Sequence, residues 1–327
     1  MTWIERQWQR FGPWQIALLP LAGLFGALSA LRRALYRIGI LRVRHLPVPV
    51  VVIGNIAVGG AGKTPLVLWL ANFLKEQGYF PGIISRGYGG AAQTAQAVTL
   101  DADPTLVGDE PLLLARRSGC PVWIGQDRPA AGQALLQAHP ECNVLLSDDG
   151  LQHYALGRAV EIAVIDGTRG CGNGLLLPAG PLRESRARLA SVDAVVVNGP
   201  GEQAGLRMSL AGERFANLRD PRQNADLTLF AGKKLHAVAG IGNPQRFFAT
   251  LRNLGVEFTE HPFPDHHPYQ PDDLAFAATE MVVMTEKDAV KCAAFATPNW
   301  WMLAVSAQVD DALGKIIMEK LRNPNGR

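Results

Sequence analysis

The side chains best equipped for chemistry fall into separated clusters. The first is Ala57-Val58-Gly59-Gly60-Ala61-Gly62-Lys63-Thr64, entered through Asn55 and Ile56. Its Gly-Lys-Thr end matches a phosphate-binding loop of the type G-x-x-x-x-G-K-[ST], except that Ala57 stands where the first glycine belongs. An apolar run precedes it and a helix-compatible run follows, with Pro65 near the first turn, where a missing N–H costs least. Backbone N–H groups of such a loop wrap phosphate oxygens, helped by the positive end of the helix dipole. Lys63 is then expected to reach the β- and γ-phosphates of a nucleotide, and Thr64 to offer its hydroxyl to Mg²⁺.

A phosphate loop needs a carboxylate at a neighbouring strand end, and "NVLLSDDGLQH" supplies Asp148 and Asp149 after an apolar run. Adjacent carboxylates cannot both face into a sheet, so one is free to hold the metal while the other faces the reaction space; which does which stays open. Oxygen donors of this kind suit Mg²⁺. Asp109 and Glu110 open an apolar helical run in "VGDEPLLLARR", as caps or as a base within reach of the γ-phosphate. "SRGYGG" offers Arg86 and Tyr88 on a glycine frame, and "FPDHHPY" gathers Asp265, His266 and His267. The four cysteines are scattered without CxxC spacing and read as reduced thiols. No His or Cys cluster completes a four-ligand zinc site.

Elements must bring these clusters together. Apolar runs at Val48–Ile53, Gly82–Ser85, Val122–Ile124, Val144–Ser147, Glu161–Ile165 and Ala194–Val197 read as buried strands. A second set is Leu235–Ala239, Met281–Met284 and Trp301–Val305. Helical stretches such as Thr64–Gln77 and Pro111–Ser118 lie between, which predicts α/β architecture with a mostly parallel sheet. At 327 residues, 48% hydrophobic and 19% charged, the chain has material for roughly two buried cores. The polar stretch Arg207 to Lys234 breaks the rhythm and reads as a linker of one or two strands. The expected units are residues 1–45, an N-terminal helical segment; 46–206, a P-loop NTPase-type domain; 207–234, a β linker; and 235–327, a smaller α/β domain.

The N-terminal run Gly12 to Ala30 holds Gln15 as its sole sizeable polar side chain. Its length approaches the roughly 20 apolar residues of a membrane span, but Pro20 and three glycines favour a helix lying in the interface. An ordinary buried helix is the third option. Trp3, Trp8 and Trp14 suit the headgroup region, and Arg32, Arg33, Arg37, Arg42 and Arg44 would attract anionic lipid from the cytoplasmic side. A net charge of only +3 gives no sign of a nucleic-acid partner.

Taken in series, "GNIAVGGAGKTP", "SRGYGG", "VGDEP", "SDDGLQH", "GPLRES", "AGIGNPQRFF", "FPDHHPY" and "MTEKDAVK" span nearly the whole chain. In that order they resemble the tetraacyldisaccharide 4'-kinase family, the lipid A 4'-kinases of Gram-negative bacteria, whose loop also carries alanine at the position of Ala57. The resemblance implies transfer of the ATP γ-phosphate to the 4'-hydroxyl of a tetraacylated glucosamine disaccharide 1-phosphate, yielding lipid IVA, at the cytoplasmic face of the inner membrane. It implies Asp109 as the base, with His266 hydrogen-bonded to it, although His267 is its immediate neighbour. It implies Mg²⁺ held through Thr64 and Asp148, with Asp149 and Glu110 assisting. Tyr88, with Arg86 beside it, and Arg128 and Arg183 are implied substrate or phosphate contacts, and the C-terminal domain would close over the site. No obligate protein partner follows.

A different class remains beside it, a P-loop NTPase switch or metallochaperone acting on a protein. The Thr285-Glu286-Lys287-Asp288 stretch does not have the N/T-K-x-D spacing of guanine recognition, and reads instead as a strand followed by a helix capped at Thr285.

Overall fold

The computed structural model describes residues 3–87, 90, 94–277 and 279–322. Among them runs a single 13-stranded sheet. Its strands in chain order are β1 (Val50–Gly54), β2 (Pro81–Ser85), β3 (Gln96–Ala97), β4 (Val122–Ile124), β5 (Val144–Ser147), β6 (Val160–Asp166) and β7 (Ala194–Asn198). They continue as β8 (Leu206–Asn217), β9 (Asn224–Ala225), β10 (Leu235–Ala239), β11 (Thr259–Pro262), β12 (Met281–Thr285) and β13 (Trp300–Val309). The spatial order is β11-β10-β12-β13-β8-β7-β6-β1-β5-β2-β4-β3, with β9 paired on β8. All neighbours are parallel except β8 with β13, β8 with β9, and β3 with β4. The expected parallel α/β sheet is thus present. The two sets of predicted strands join through β8, which lies parallel to β7 and antiparallel to β13.

The helices are α1 (Trp3–Gln7), α2 (Pro13–Arg37), α3 (Lys63–Glu76), α4 (Pro104–Val107), α5 (Asp109–Ser118), α6 (Arg128–Ala138), α7 (Pro244–Asn253), α8 (Glu286–Cys292) and α9 (Asp311–Arg322). Burial follows sequence pattern. β1 and β12 are covered on both faces, and both are apolar apart from the Thr285 that closes β12. In α3 the residues facing the sheet recur at helical spacing, and Leu66, Leu70 and Leu74 are fully buried. Leu313 and Ile317 of α9 enter the same core cluster, so the end of the chain packs back onto the phosphate-loop half.

α2 departs from that pattern. Its most apolar window has a mean hydropathy of 1.6, yet only 11% of that window is buried. Leu24, Leu28 and Leu31 are exposed, while Ala22 is buried and Gly26 sits against Leu176. This excludes the ordinary core helix. The segment is held to the body from its base, where the Trp8 indole donates to the Pro178 carbonyl and the Gln15 amide donates to the Gln7 carbonyl.

Candidate active site

The phosphate loop leaves β1 and enters α3 at Lys63, with Gly62 as N-cap at φ +90°. Only glycine fits there: a Cβ would lie 2.0 Å from Asn198 Nδ2, in addition to the left-handed backbone cost. The loop's carbonyls are engaged from outside. Asn55 donates to Gly59 O, Asn198 to Ala61 O, and Arg169 to Gly60 O. Ile56 is buried and its carbonyl accepts from Arg183 N, Val58 N donates to Pro181 O, and Ala57 makes a bridge to Leu182. With these carbonyls held, the loop is fixed as a cradle at the positive end of α3.

β5 lies directly beside β1, with Ser147 opposite Val52, so Asp148 and Asp149 emerge next to the loop. Asp148 is buried; its Oδ2 accepts from Ser85 Oγ at 3.4 Å, and Oδ1 has no hydrogen-bond partner. Burial, and then the Glu110 carboxylate, push Asp148 up to about 7. Asp149 holds a left-handed backbone at φ +46°, which aims its carboxylate at Lys63 Nζ (3.4 Å) and Arg183 Nη1 (3.3 Å). Burial alone would raise Asp149, but those two cations outweigh it and hold it below the usual carboxylate value. A buried, partnerless carboxylate oxygen at the end of the strand beside the phosphate loop fits a divalent cation held by Asp148 and the Thr64 hydroxyl. Among the described residues no cluster of three His, Cys, Asp or Glu side chains is arranged for a metal, so the remaining ligands would be phosphate oxygens and water.

Asp109 begins α5, reached through Gly108 at φ +91°, and its side chain is 5% exposed. The segment after β11 brings His266 to it from the other end of the chain. His266 Nδ1 lies 3.0 Å from Asp109 Oδ2 and 3.2 Å from Oδ1. His266 and Asp149 are the described non-glycine residues with positive φ, and both sit here. His267 turns away to Asp273 Oδ2 at 3.0 Å. Burial would raise Asp109; the hydrogen bond with His266 and the charges of Lys287 and Lys291 prevail and hold it low. The same hydrogen bond raises His266 above the ordinary histidine value, with burial and the Lys287 charge working the other way.

Lys63, Thr64, Glu110, Asp148, Asp149 and His266 line one cavity of about 900 Å³, walled by the phosphate loop, the start of α5, the end of β5, the His266 segment, α7 and α8, and Asp109 meets it through His266. Phe25, Ser29 and Arg32 of α2 form part of its rim, which joins the exposed apolar helix to the site. Arg86 lines it as an exposed side chain. Tyr88 lies outside the described residues. Arg128 also lines it, but two of its donors are turned to the carbonyls of Gly125 and Asp148. Burial lowers Arg128 to about 10, which still leaves it charged at neutral pH.

Several site residues escape a reading by motif spacing. Thr285 caps α8 as expected, yet Lys287, on that helix, reaches Glu110, Asp265 and His266. Arg246, at the start of α7, donates to Asn198 Oδ1 at 2.6 Å and so connects the C-terminal strands to the phosphate loop. Asp166 accepts from the backbone of Thr168 and Arg169 and orients the Arg169 that engages Gly60. The "GNPQRF" sequence holds a signal for Arg246, a cation in the first turn of a helix after a strand.

Comparison with known proteins agrees with this geometry. A family model described as tetraacyldisaccharide-1-P 4'-kinase matches residues 14–322. Among curated relatives, the tetraacyldisaccharide 4'-kinase of Methylobacillus flagellatus is 52% identical, covering 98% of this chain and 96% of that one. That of Dechloromonas aromatica is 53% identical, covering 98% and 97%. A crystal structure of LpxK from Aquifex aeolicus in complex with ATP superposes with a TM-score of 0.81 at 28% identity, over 94% of this chain and 99% of that one. Sequence, fold and site together place this chain in the tetraacyldisaccharide-1-P 4'-kinase family.

Proposed function

We infer that this chain is an ATP-dependent tetraacyldisaccharide 4'-kinase, transferring the γ-phosphate to the 4'-hydroxyl of tetraacyldisaccharide 1-phosphate in lipid A biosynthesis. The observation that carries the residue-level reading is the pairing of Asp109 with His266, which lines the cavity that also holds the phosphate loop. A sugar hydroxyl is a weak nucleophile at neutral pH and gains from a base that accepts its proton as the new O–P bond forms. Asp109 suits that role because it is kept ionised while shielded from water. His266 orients it. Lys63 and the loop N–H groups offset charge on the transferring group, which is the main demand of phosphoryl transfer. Mg²⁺, held by Thr64 and Asp148 with Asp149 and Glu110 about it, would add charge neutralisation there.

Arg183 and Arg86 are assigned to anionic groups of the substrates, and Arg128 to fixing Asp148. Residues 46–206 supply Asp109 and residues 235–327 supply His266, already paired in this structure, and closure about the 207–234 linker would shield the site from water. α2 would lie in the cytoplasmic leaflet of the inner membrane, with the acyl chains of the acceptor beside it. The ³¹P spectrum of a tetraacyldisaccharide 1-phosphate incubated with the protein, ATP and Mg²⁺ tests this reading. A second phosphomonoester resonance on the lipid supports it, and free phosphate with an unchanged lipid refutes it.

A further inference from the structure

The sequence "MTEKDAVK" places Lys287 and Lys291 four residues apart, on one face of α8. α8 packs beside α5, and both lysines point to the start of that helix. Lys291 Nζ lies 3.9 Å from Asp109 Oδ2, 2.9 Å from Asp288 Oδ1, and 4.9 Å from the Tyr269 ring centroid. Lys287 Nζ has three close neighbours: Glu110 Oε1 at 3.1 Å, Asp265 Oδ1 at 3.2 Å and His266 Nε2 at 3.2 Å. Its side chain is only 15% exposed.

An ammonium group carries three N–H donors and no lone pair. Three donors meet three neighbours here, and each neighbour must accept. Glu110 and Asp265 accept as carboxylates. His266 Nε2 accepts only with a bare lone pair, so the imidazole proton sits on Nδ1, the nitrogen facing Asp109. An imidazolium would instead set an N–H against the ammonium. We propose that Lys287 is a positioning residue that fixes His266 as the neutral Nδ1–H tautomer, making His266 a hydrogen-bond donor to Asp109 rather than a relay for the acceptor's proton.

This rests on the reading of Asp109 as base and assigns the proton's path. As the 4'-oxygen bonds to the γ-phosphorus, the bond from that phosphorus to the ADP oxygen breaks. The hydroxyl O–H bond breaks and an O–H bond forms on Asp109. Nδ1 already bears a hydrogen and Nε2 is engaged by Lys287, so the proton stays on Asp109 until the product leaves and water takes it. Lys291, 3.9 Å from Asp109 Oδ2, adds a second positive charge beside the carboxylate.

The ring-nitrogen ¹⁵N spectrum of the full chain in detergent micelles reads the tautomer directly, with His266→Gln identifying the His266 signals among the seven histidines. At neutral pH the wild-type protein is expected to show a protonated Nδ1 and an unprotonated Nε2. Two protonated nitrogens, or a proton on Nε2 alone, would overturn the proposal. Lys287→Met is expected to abolish that pattern and to lower the transfer rate about tenfold or more, a share of what a positioned base contributes, while ATP affinity holds. Lys287→Arg, which also offers donors and no acceptor, should recover the tautomer and part of the rate even if the methionine variant folds poorly. A methionine variant with unchanged rate and spectrum would remove Lys287 from this role while leaving Asp109 in its own. Loss of that reading would show instead as an Asp109→Asn enzyme of normal rate.

Discussion

Asp109 Oδ2 and His266 Nδ1 lie 3.0 Å apart although 157 positions separate them in the chain. Asp109 sits at the mouth of a helix in the phosphate-loop half, and His266 on a left-handed residue among the C-terminal strands. Their contact requires both halves of the sheet to be in register, which β8 and β13 secure by their long antiparallel pairing. The Asp109–His266 pair is therefore tied to the packing of both halves of the sheet.

Gly62→Ala should weaken ATP binding without unfolding the protein. The left-handed backbone costs about 1–2 kcal/mol for any side chain, and the new methyl would displace Asn198 from Ala61 O. Nucleotide titration of the variant checks this; wild-type affinity would mean that the cradle tolerates the shift.

Lys63→Ala is expected to behave differently from loss of the base. It removes the group that lies 3.4 Å from Asp149 and that would face the phosphates, so ATP affinity and transfer rate should both fall. Steady-state kinetics with varied ATP separate the two: a higher KM together with a lower kcat is the expected pattern, and a change in one alone argues against a dual role.

The exposed leucines of α2 make a separable test of membrane docking. Replacing Leu24, Leu28 and Leu31 by serine should lower binding to anionic vesicles by about tenfold for each leucine that the bilayer buries. Tm should hold, because these side chains are exposed in the folded protein. Unchanged vesicle flotation would place the docking surface elsewhere.

His153 gives a pH signature in stability. Burial first, then the charges of Arg128 and Arg158, lower it to about 4 from an ordinary value of 6.5. Between those values the unfolded chain binds a proton that the folded one refuses, so this group makes stability fall as pH falls from 6.5 towards 4. His153→Gln should therefore show a smaller loss of Tm between pH 7 and pH 5 than the wild type. Parallel curves would assign the acid sensitivity to other groups.

The parts of the fold visible in the sequence were those with a local physical signature. β4, β5 and β10 coincide with their apolar runs because β5 and β10 are buried on both faces, β4 is largely so, and all are bounded by turn residues. The phosphate loop and Asp148 were legible for the same reason, since the glycines and the strand-end carboxylates are neighbours in sequence. β8 and β13 run longer than their apolar cores because antiparallel pairing stabilises polar positions such as Ser209 and Gln308, which face each other. Lys287 was hidden for a different reason. The Thr285 cap already accounts for the local pattern, and its contact with Glu110 spans 177 positions, beyond any spacing rule. His266 and His267 are equivalent in sequence, and only the backbone at φ +59° separates them, turning one ring to Asp109 and leaving the other to Asp273.

Asp109 is proposed to accept the acceptor's proton in a site assembled from both halves of the chain. Single-turnover transfer from labelled ATP to tetraacyldisaccharide 1-phosphate by Asp109→Asn, with ATP affinity measured on the same protein, tests it most directly. The transfer rate is expected to fall by about 10²–10⁴-fold with ATP affinity retained. A rate equal to that of the wild type would contradict it.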